Sequence, residues 1–228
     1  MIDSPTVTAR CFGTVLAASA VPALGPVELA GADAAALGVL LPLLGCGEEA
    51  AALAFDTLAA ASGTCVDALA LTAIAAEERG HDRLITALIE ILPADPHAAA
   101  NRRAARRFHV ELGRGDAAER LARVAATDAA VCTILSRLLA PGRPLAGDAV
   151  VRPTLSRIHH DEARHVRLSR RLASAGGGHA ALCDIGAAAR SALADVLRLG
   201  AAAFDRLGVD PDRLDRDLRR LPRGLFVA

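Results

Sequence analysis

The chain has no tryptophan and no tyrosine, and phenylalanine, at five, is its only aromatic residue. Storage of a radical on tyrosine is excluded, and so is electron hopping along Tyr or Trp. Any strong oxidant formed in this protein would be consumed close to where it arose. Paired cysteines are missing as well. Cys11, Cys46, Cys65, Cys132 and Cys183 are scattered, and no two stand in Cys-x-x-Cys spacing. That rules out a zinc knuckle, a rubredoxin-like site and an evident disulfide frame, and leaves reduced thiols as the expectation. Neither sign of charge dominates: Lys+Arg and Asp+Glu number 26 each. A broad basic footprint for nucleic acid or anionic lipid is therefore lacking. No unbroken apolar run reaches the roughly 18–20 residues that span a bilayer. No N-terminal stretch combines a basic start, an apolar centre and a cleavage site. These absences predict a cytoplasmic protein without a membrane or nucleic-acid partner. The basic stretch Arg102, Arg103, Arg106 and Arg107 reads as a solvated helix face.

Alternating apolar and polar runs are also scarce, while Ala, Leu and Arg are abundant, so the fold class is all-α. No linker-like stretch divides the chain, and residues 1–228 are read as one domain. Residues 1–31 are irregular, with a short piece of undecided form at Val15 to Val21. A helix over about 32–62 is expected to kink or break near Pro42, Gly45 and Gly47. A second runs over about 66–92, with Leu69, Leu71, Ile74, Ile85, Leu88 and Ile89 at helical spacing, and Pro93 stops it. A helical connector (Asn101 to Leu112) follows. Further helices are predicted over about 116–139, 148–175 and 179–207. Asp210-Pro211-Asp212 signals the cap of a last short helix near 211–220.

Two short strings carry the chemistry. Glu78-Arg79-Gly80-His81 and Glu162-Ala163-Arg164-His165 both read Glu-x-x-His. Residues three apart on a helix share a face, so each string aims a carboxylate and an imidazole the same way. Glu78 and His81 fall on the stripe of Leu71, Ile74 and Ile85. Glu162 and His165 fall with Leu155, Ile158, Leu168 and Leu172. Burying such groups among Leu and Ile is costly unless a partner compensates, and metal binding is a natural compensation. Two such helices resemble the halves of a carboxylate-bridged dinuclear site in a four-helix bundle, whose other two helices each give a lone acid. In the first helix Glu48 shares a face with Ala51, Ala52, Phe55, Leu58 and Ala59, and is preferred over Glu49. In the third, Asp128 lies with Leu121, Val124, Val131, Cys132 and Leu135. Ligating imidazoles commonly donate their second N–H to a carboxylate. Asp161 is placed to accept from His81, Glu77 stands beside its own stripe, and Arg164 balances acid charge nearby. His159 and His160 are either additional ligands or channel-lining residues, or simply partly exposed helix histidines. His97, His109 and His179 lie outside the pattern.

Glu77-Glu78-Arg79-Gly80-His81 and Asp161-Glu162-Ala163-Arg164-His165 resemble motifs of the ferritin-like dinuclear carboxylate superfamily. The resemblance covers about residues 33–175. It implies a ferritin-like four-helix bundle, with an additional C-terminal helix over about 179–207 and a tail. It implies two iron ions, or manganese or a mixed pair. Glu48 and His81 would be terminal ligands of one ion, Asp128 and His165 would serve the other, and Glu78 and Glu162 would bridge. The family's usual Glu is matched here by Asp128. In the p-aminobenzoate N-oxygenase group a histidine precedes the helix-four Glu by one turn; that position is Ile158, and membership is not supported.

Within that superfamily the chain looks closer to oxygenases and oxidases of small-molecule pathways than to storage ferritins. The reading is a non-haem di-iron, O2-dependent oxygenase or oxidase with a small organic substrate, an external electron donor and, as an open alternative, a homodimeric state. Two other classes stand beside it: a ferroxidase or rubrerythrin-like peroxide scavenger, and a non-enzymatic helical scaffold with a degenerate site.

Overall fold

The computed structural model describes residues 10–15, 21–176 and 178–221. Among them the chain forms helices and no strand. Four long helices, α1 (Gly31–Ala60), α2 (Cys65–Ile91), α4 (Ala117–Leu138) and α5 (Val151–Gly176), form the frame. Helix α3 (Ala98–Leu112) crosses between the two halves, and α6 (His179–Leu197), α7 (Ala201–Arg206) and α8 (Pro211–Arg220) follow. α1 packs along α2, and α4 along α5, each as an antiparallel pair. α2 also meets α5, whereas α1 and α4 stand apart with α3 and α6 beside the gap.

Short side-chain caps set where these helices begin, and so fix their register. Thr64 accepts from the Asp67 amide at 3.1 Å, Asp116 from Glu119 at 2.9 Å and Asp210 from Arg213 at 2.9 Å. Asp148 caps α5 by accepting from Val151 N at 2.7 Å, while its other oxygen accepts from Glu28 N at 2.8 Å. One cap thus starts the helix and holds the irregular lead-in to α1.

Two large apolar clusters divide the interior, beside a small third one of Leu43, Cys46 and Ala105. One joins Leu37, Leu41, Ile85, Leu88, Ile134, Leu138 and Ile158 with Leu193, Phe204, Leu214 and Leu218. The C-terminal helices therefore belong to the core. Arg190, itself buried, donates to the carbonyls of Leu218 (3.3 Å) and Leu221 (3.1 Å), satisfying the end of α8. The second cluster holds Phe55, Leu58, Leu71, Ile74, Leu121, Ala125 and Leu182.

Three expectations are corrected. α1 runs unbroken through Pro42, Gly45 and Gly47. Pro42 forfeits one helical hydrogen bond, to Gly38, where the chain is already shaped by packing: a Cβ on Gly38 would sit 2.5 Å from the Pro93 carbonyl oxygen. The helix predicted over 179–207 is interrupted at Arg198–Gly200. There a Cβ on Gly200 would meet Leu40 at 2.5 Å, so the turn is drawn tightly against α1. Leu69, expected on the core stripe, is exposed. The undecided piece at 15–21 lies mostly outside the described residues.

α1 is also long and apolar enough to cross a membrane by length and composition, although no unbroken apolar run suggested it. Its apolar window is 61% buried inside the bundle, which accounts for its hydropathy without a bilayer.

Candidate metal centre

Between the two apolar clusters the four frame helices turn acidic and basic side chains inward. The cap at Thr64 sets α2 so that Leu71, Ile74, Glu78, His81 and Ile85 all face the interior. The cap at Asp148 does the same for Leu155, Ile158, Glu162 and His165 on α5. Glu78 is 1% exposed and His165 0%, so neither can be a solvated surface pair. Glu48 of α1 and Asp128 of α4 are buried beside them.

Donor atoms of Glu48, Glu78, His81 and Glu162 lie within 4.8 Å of one another, a spacing that could hold a metal ion. His81 Nδ1 is 3.2 Å from Glu48, 3.4 Å from Glu78 and 3.5 Å from Glu162. His165 Nδ1 is 2.9 Å from Glu78 and 3.8 Å from Glu162. Glu78 faces His81 with Oε2 and His165 with Oε1; Glu162 uses Oε1 and Oε2 in the opposite sense. Each of these two carboxylates therefore spans the pair of imidazoles, whose ring centres are 5.8 Å apart.

The outer nitrogens are held crosswise. His81 Nε2 lies 3.1 Å from Asp161 of α5, and His165 Nε2 lies 2.8 Å from Glu77 of α2. Each acid immediately precedes the Glu of its own Glu-x-x-His string and orients the histidine of the other. Arg164 links the two acids, donating to Asp161 at 2.8 Å and lying 3.0 Å from Glu77. With Nε2 acting as donor to a carboxylate, Nδ1 presents a lone pair inward.

That inward side is short of partners. Glu78 Oε1, Asp128 Oδ2 and His165 Nδ1 are buried without a hydrogen bond, for the 2.9 Å approach of Glu78 to His165 is not aligned as one. Buried, unsatisfied polar atoms are rare in folded proteins, and three in one place fit a cation-binding site. The oxygen and nitrogen donor set suits a first-row divalent metal.

Protonation follows the same crowding. Burial, opposed by His81 and reinforced by Glu78, raises Glu48 to about 7. Burial and the neighbouring Glu162, Glu78 and Glu48 hold the Asp128 carboxyl well above its ordinary range. Burial also raises Glu162, against the pull of His81. For His165, burial alone would lower the value, but Glu78, Glu162 and Glu77 outweigh it and lift it to about 9. His81 moves the same way, because Glu162, Glu48 and Glu78 outweigh its burial. Cys132, one turn beyond Asp128, is pushed up to about 12 by burial and by Glu162 and Asp128, so it stays a thiol.

Three of the further candidates point elsewhere. Glu49 is buried but accepts from Cys11 N (2.7 Å), Thr14 N (3.1 Å) and Thr14 Oγ1 (2.6 Å), because one residue along a helix turns the side chain about 100° away from Glu48. His159 is half-buried and pairs with Ser136 Oγ at 3.0 Å, and His160 is exposed.

Sequence reasoning missed several residues around the site. Arg10 binds Asp82 through both terminal nitrogens, one contact at 2.7 Å, and so straps the N-terminal segment beside α2. Nothing in the order of residues announces a pairing between positions so distant. A cavity of about 370 Å³ opens on Glu48, Glu78, Asp128 and Glu162 in the gap between α1 and α4. His109, set aside in the sequence, lines it against Gly47, and burial pushes its imidazole down to about 4. Arg120 lines it too.

Comparisons with protein-family models, with curated proteins and with solved structures found nothing that matches this chain.

Proposed function

We propose that this chain is a ferritin-like, non-haem di-iron enzyme of the O2-dependent oxygenase or oxidase class, acting on a small organic substrate. The observation that carries this reading is the meeting of the buried carboxylate and imidazole cluster with a mainly apolar cavity. Sites for small molecules are concave and mostly apolar, with a few convergent polar groups, and this cavity is within the usual range of volume. A bundle devoted only to iron has no need of such a chamber.

Glu48, Glu78, His81, Asp128, Glu162 and His165 would hold the metal. Bound iron supplies the redox chemistry with O2 that side chains cannot perform. The chain supplies the rest. Asp161 and Glu77 keep the Nε2 protons of His81 and His165 in place and their Nδ1 atoms facing inward. Glu78 and Glu162 stand between the imidazoles, and their charge would offset that of two cations. Arg164 neutralises the orienting acids. Leu43, Val124, Val131 and Ile134 line the chamber with apolar surface. Without Tyr, Trp or a Cys-x-x-Cys pair, the chain would draw electrons from an external donor.

Anaerobic loading with Fe(II) followed by metal analysis tests the reading first. Close to two irons per chain are expected, and Glu78→Ala or Glu162→Ala should abolish binding; a chain that holds none is a scaffold. Exposure to O2 without organic substrate should then give slow, uncoupled oxidation. Rapid multiple turnover ending in mineral or water would assign the site to iron handling instead.

A further inference from the structure

The same cavity has a second polar end. Arg120, in the first turn of α4, lines it, and its Nε is buried without a hydrogen-bond partner. Glu119, its chain neighbour, turns instead toward Arg123 at 3.7 Å. Among the described residues no carboxylate forms an ion pair with Arg120. A guanidinium is charged at any ordinary pH and carries five donors in a planar fork that matches a carboxylate. Arg120 is only partly buried, but its buried Nε lacks a partner that an anion in the chamber would supply.

The other end of the chamber is acidic, and the wall between is aliphatic. Val124 from α4, and Ala51 and Ala54 from α1, line that stretch, while Val131, Ile134 and Leu43 continue the apolar lining beyond Asp128. Arg120 and Asp128 are about two helical turns apart on α4, about 12 Å along the axis. Among the charged side chains that line the chamber, Arg120 is the cation and the others are carboxyl groups, so an anion is drawn to the Arg120 end. The other polar wall groups, Thr57, Thr127 and His109, add no competing charge, His109 being neutral.

Resting on the reading of this chamber as the substrate site, we infer that it takes an aliphatic carboxylic acid of medium length. Its carboxylate pairs with Arg120 and its methylene chain runs along α4 toward Asp128. The carbon presented to the cluster is then fixed by its distance from the acid group, well away from it.

Titration of the metal-free, full-length chain with decanoate, decylamine and 1-decanol tests this without any turnover. Decanoate should bind through Arg120, whereas any decylamine binding should be unaffected by loss of Arg120. Arg120→Gln should weaken decanoate at least tenfold while changing decanol less than twofold, and Arg120→Lys should restore part of the loss. Val124→Phe, which narrows the chamber between Arg120 and Asp128, should weaken decanoate and decanol alike. Undiminished decanoate binding in Arg120→Gln, or indifference to Val124→Phe, would overturn the assignment. Because no metal is present, failure of the iron reading leaves this result standing, and failure here leaves the iron count untouched.

Discussion

Asp161 of α5 orients His81 of α2 at 3.1 Å, while Glu77 of α2 orients His165 of α5 at 2.8 Å. Neither helix completes its own half of the centre. Removing an acid that fixes a ligating imidazole typically weakens metal binding by about 10–100-fold. Asp161→Asn and Glu77→Gln should each show a loss of that size in a competitive Zn(II) or Fe(II) titration, with circular dichroism unchanged. Equal affinity in both variants would mean that the two acids serve only the surface pair with Arg164.

Asp128 should reveal a conflict between stability and metal binding. Its ionised form is disfavoured by burial and three neighbouring acids. Asp128→Asn keeps the shape and removes that charge. Metal-free Asp128→Asn at pH 8 should be more stable by roughly 1 kcal/mol, a rise of about 2–4 °C in Tm for a chain of this size. Its iron content should fall below the wild type's. A lower Tm in calorimetry would show that the aspartate is held by a favourable partner.

The pH dependence has a definite sign. Glu48 rises from 4.5 to about 7 and His165 from 6.5 to about 9 on folding. The folded, metal-free chain therefore binds more protons than the unfolded one between those values, and stability falls as pH rises through that window. The contribution of Glu48 is complete below 4.5 and lost by about 7; that of His165 is complete below 6.5 and lost by about 9. Metal must displace these protons, so its affinity should climb over the same range, with proton release measurable by calorimetry in buffers of different ionisation enthalpy. A metal affinity independent of pH across that range would contradict the assignment of these ligands.

The N-terminal strap makes a separate prediction. Arg10 and Asp82 are 12% and 5% exposed as side chains. Arg10→Met would leave Asp82 buried without its partner and should cost about 3 kcal/mol in urea unfolding, since stranding one member of a buried pair is strongly destabilising. Asp82→Leu added to it should recover most of that loss. Metal binding in the double variant should be near normal, because Asp82 faces away from His81's cluster.

Much of this arrangement is legible in the order of residues alone. Helix limits agree within a few residues because caps and breakers are local: Asp116 and Asp210 act on amides three residues ahead. Both Glu-x-x-His strings are visible because helical spacing by itself places their members on one face. Asp161 as the partner of His81 follows from its place before Glu162.

Other features depend on contacts that no local rule encodes. The helical face already sets Glu48 apart from Glu49, but the groups that hold Glu49, Cys11 and Thr14, come from a distant segment that no local rule points to. Pro42 carries the local signal of a helix break, and neighbouring packing keeps the helix continuous. The chamber exists because α1 and α4 stand apart, and His109 and Arg120 gain their place only from that separation. Periodicity along a chain reports which side chains face inward, since backbone geometry repeats every turn. It carries no measure of the distance between two helices, which the summed packing of all their neighbours sets.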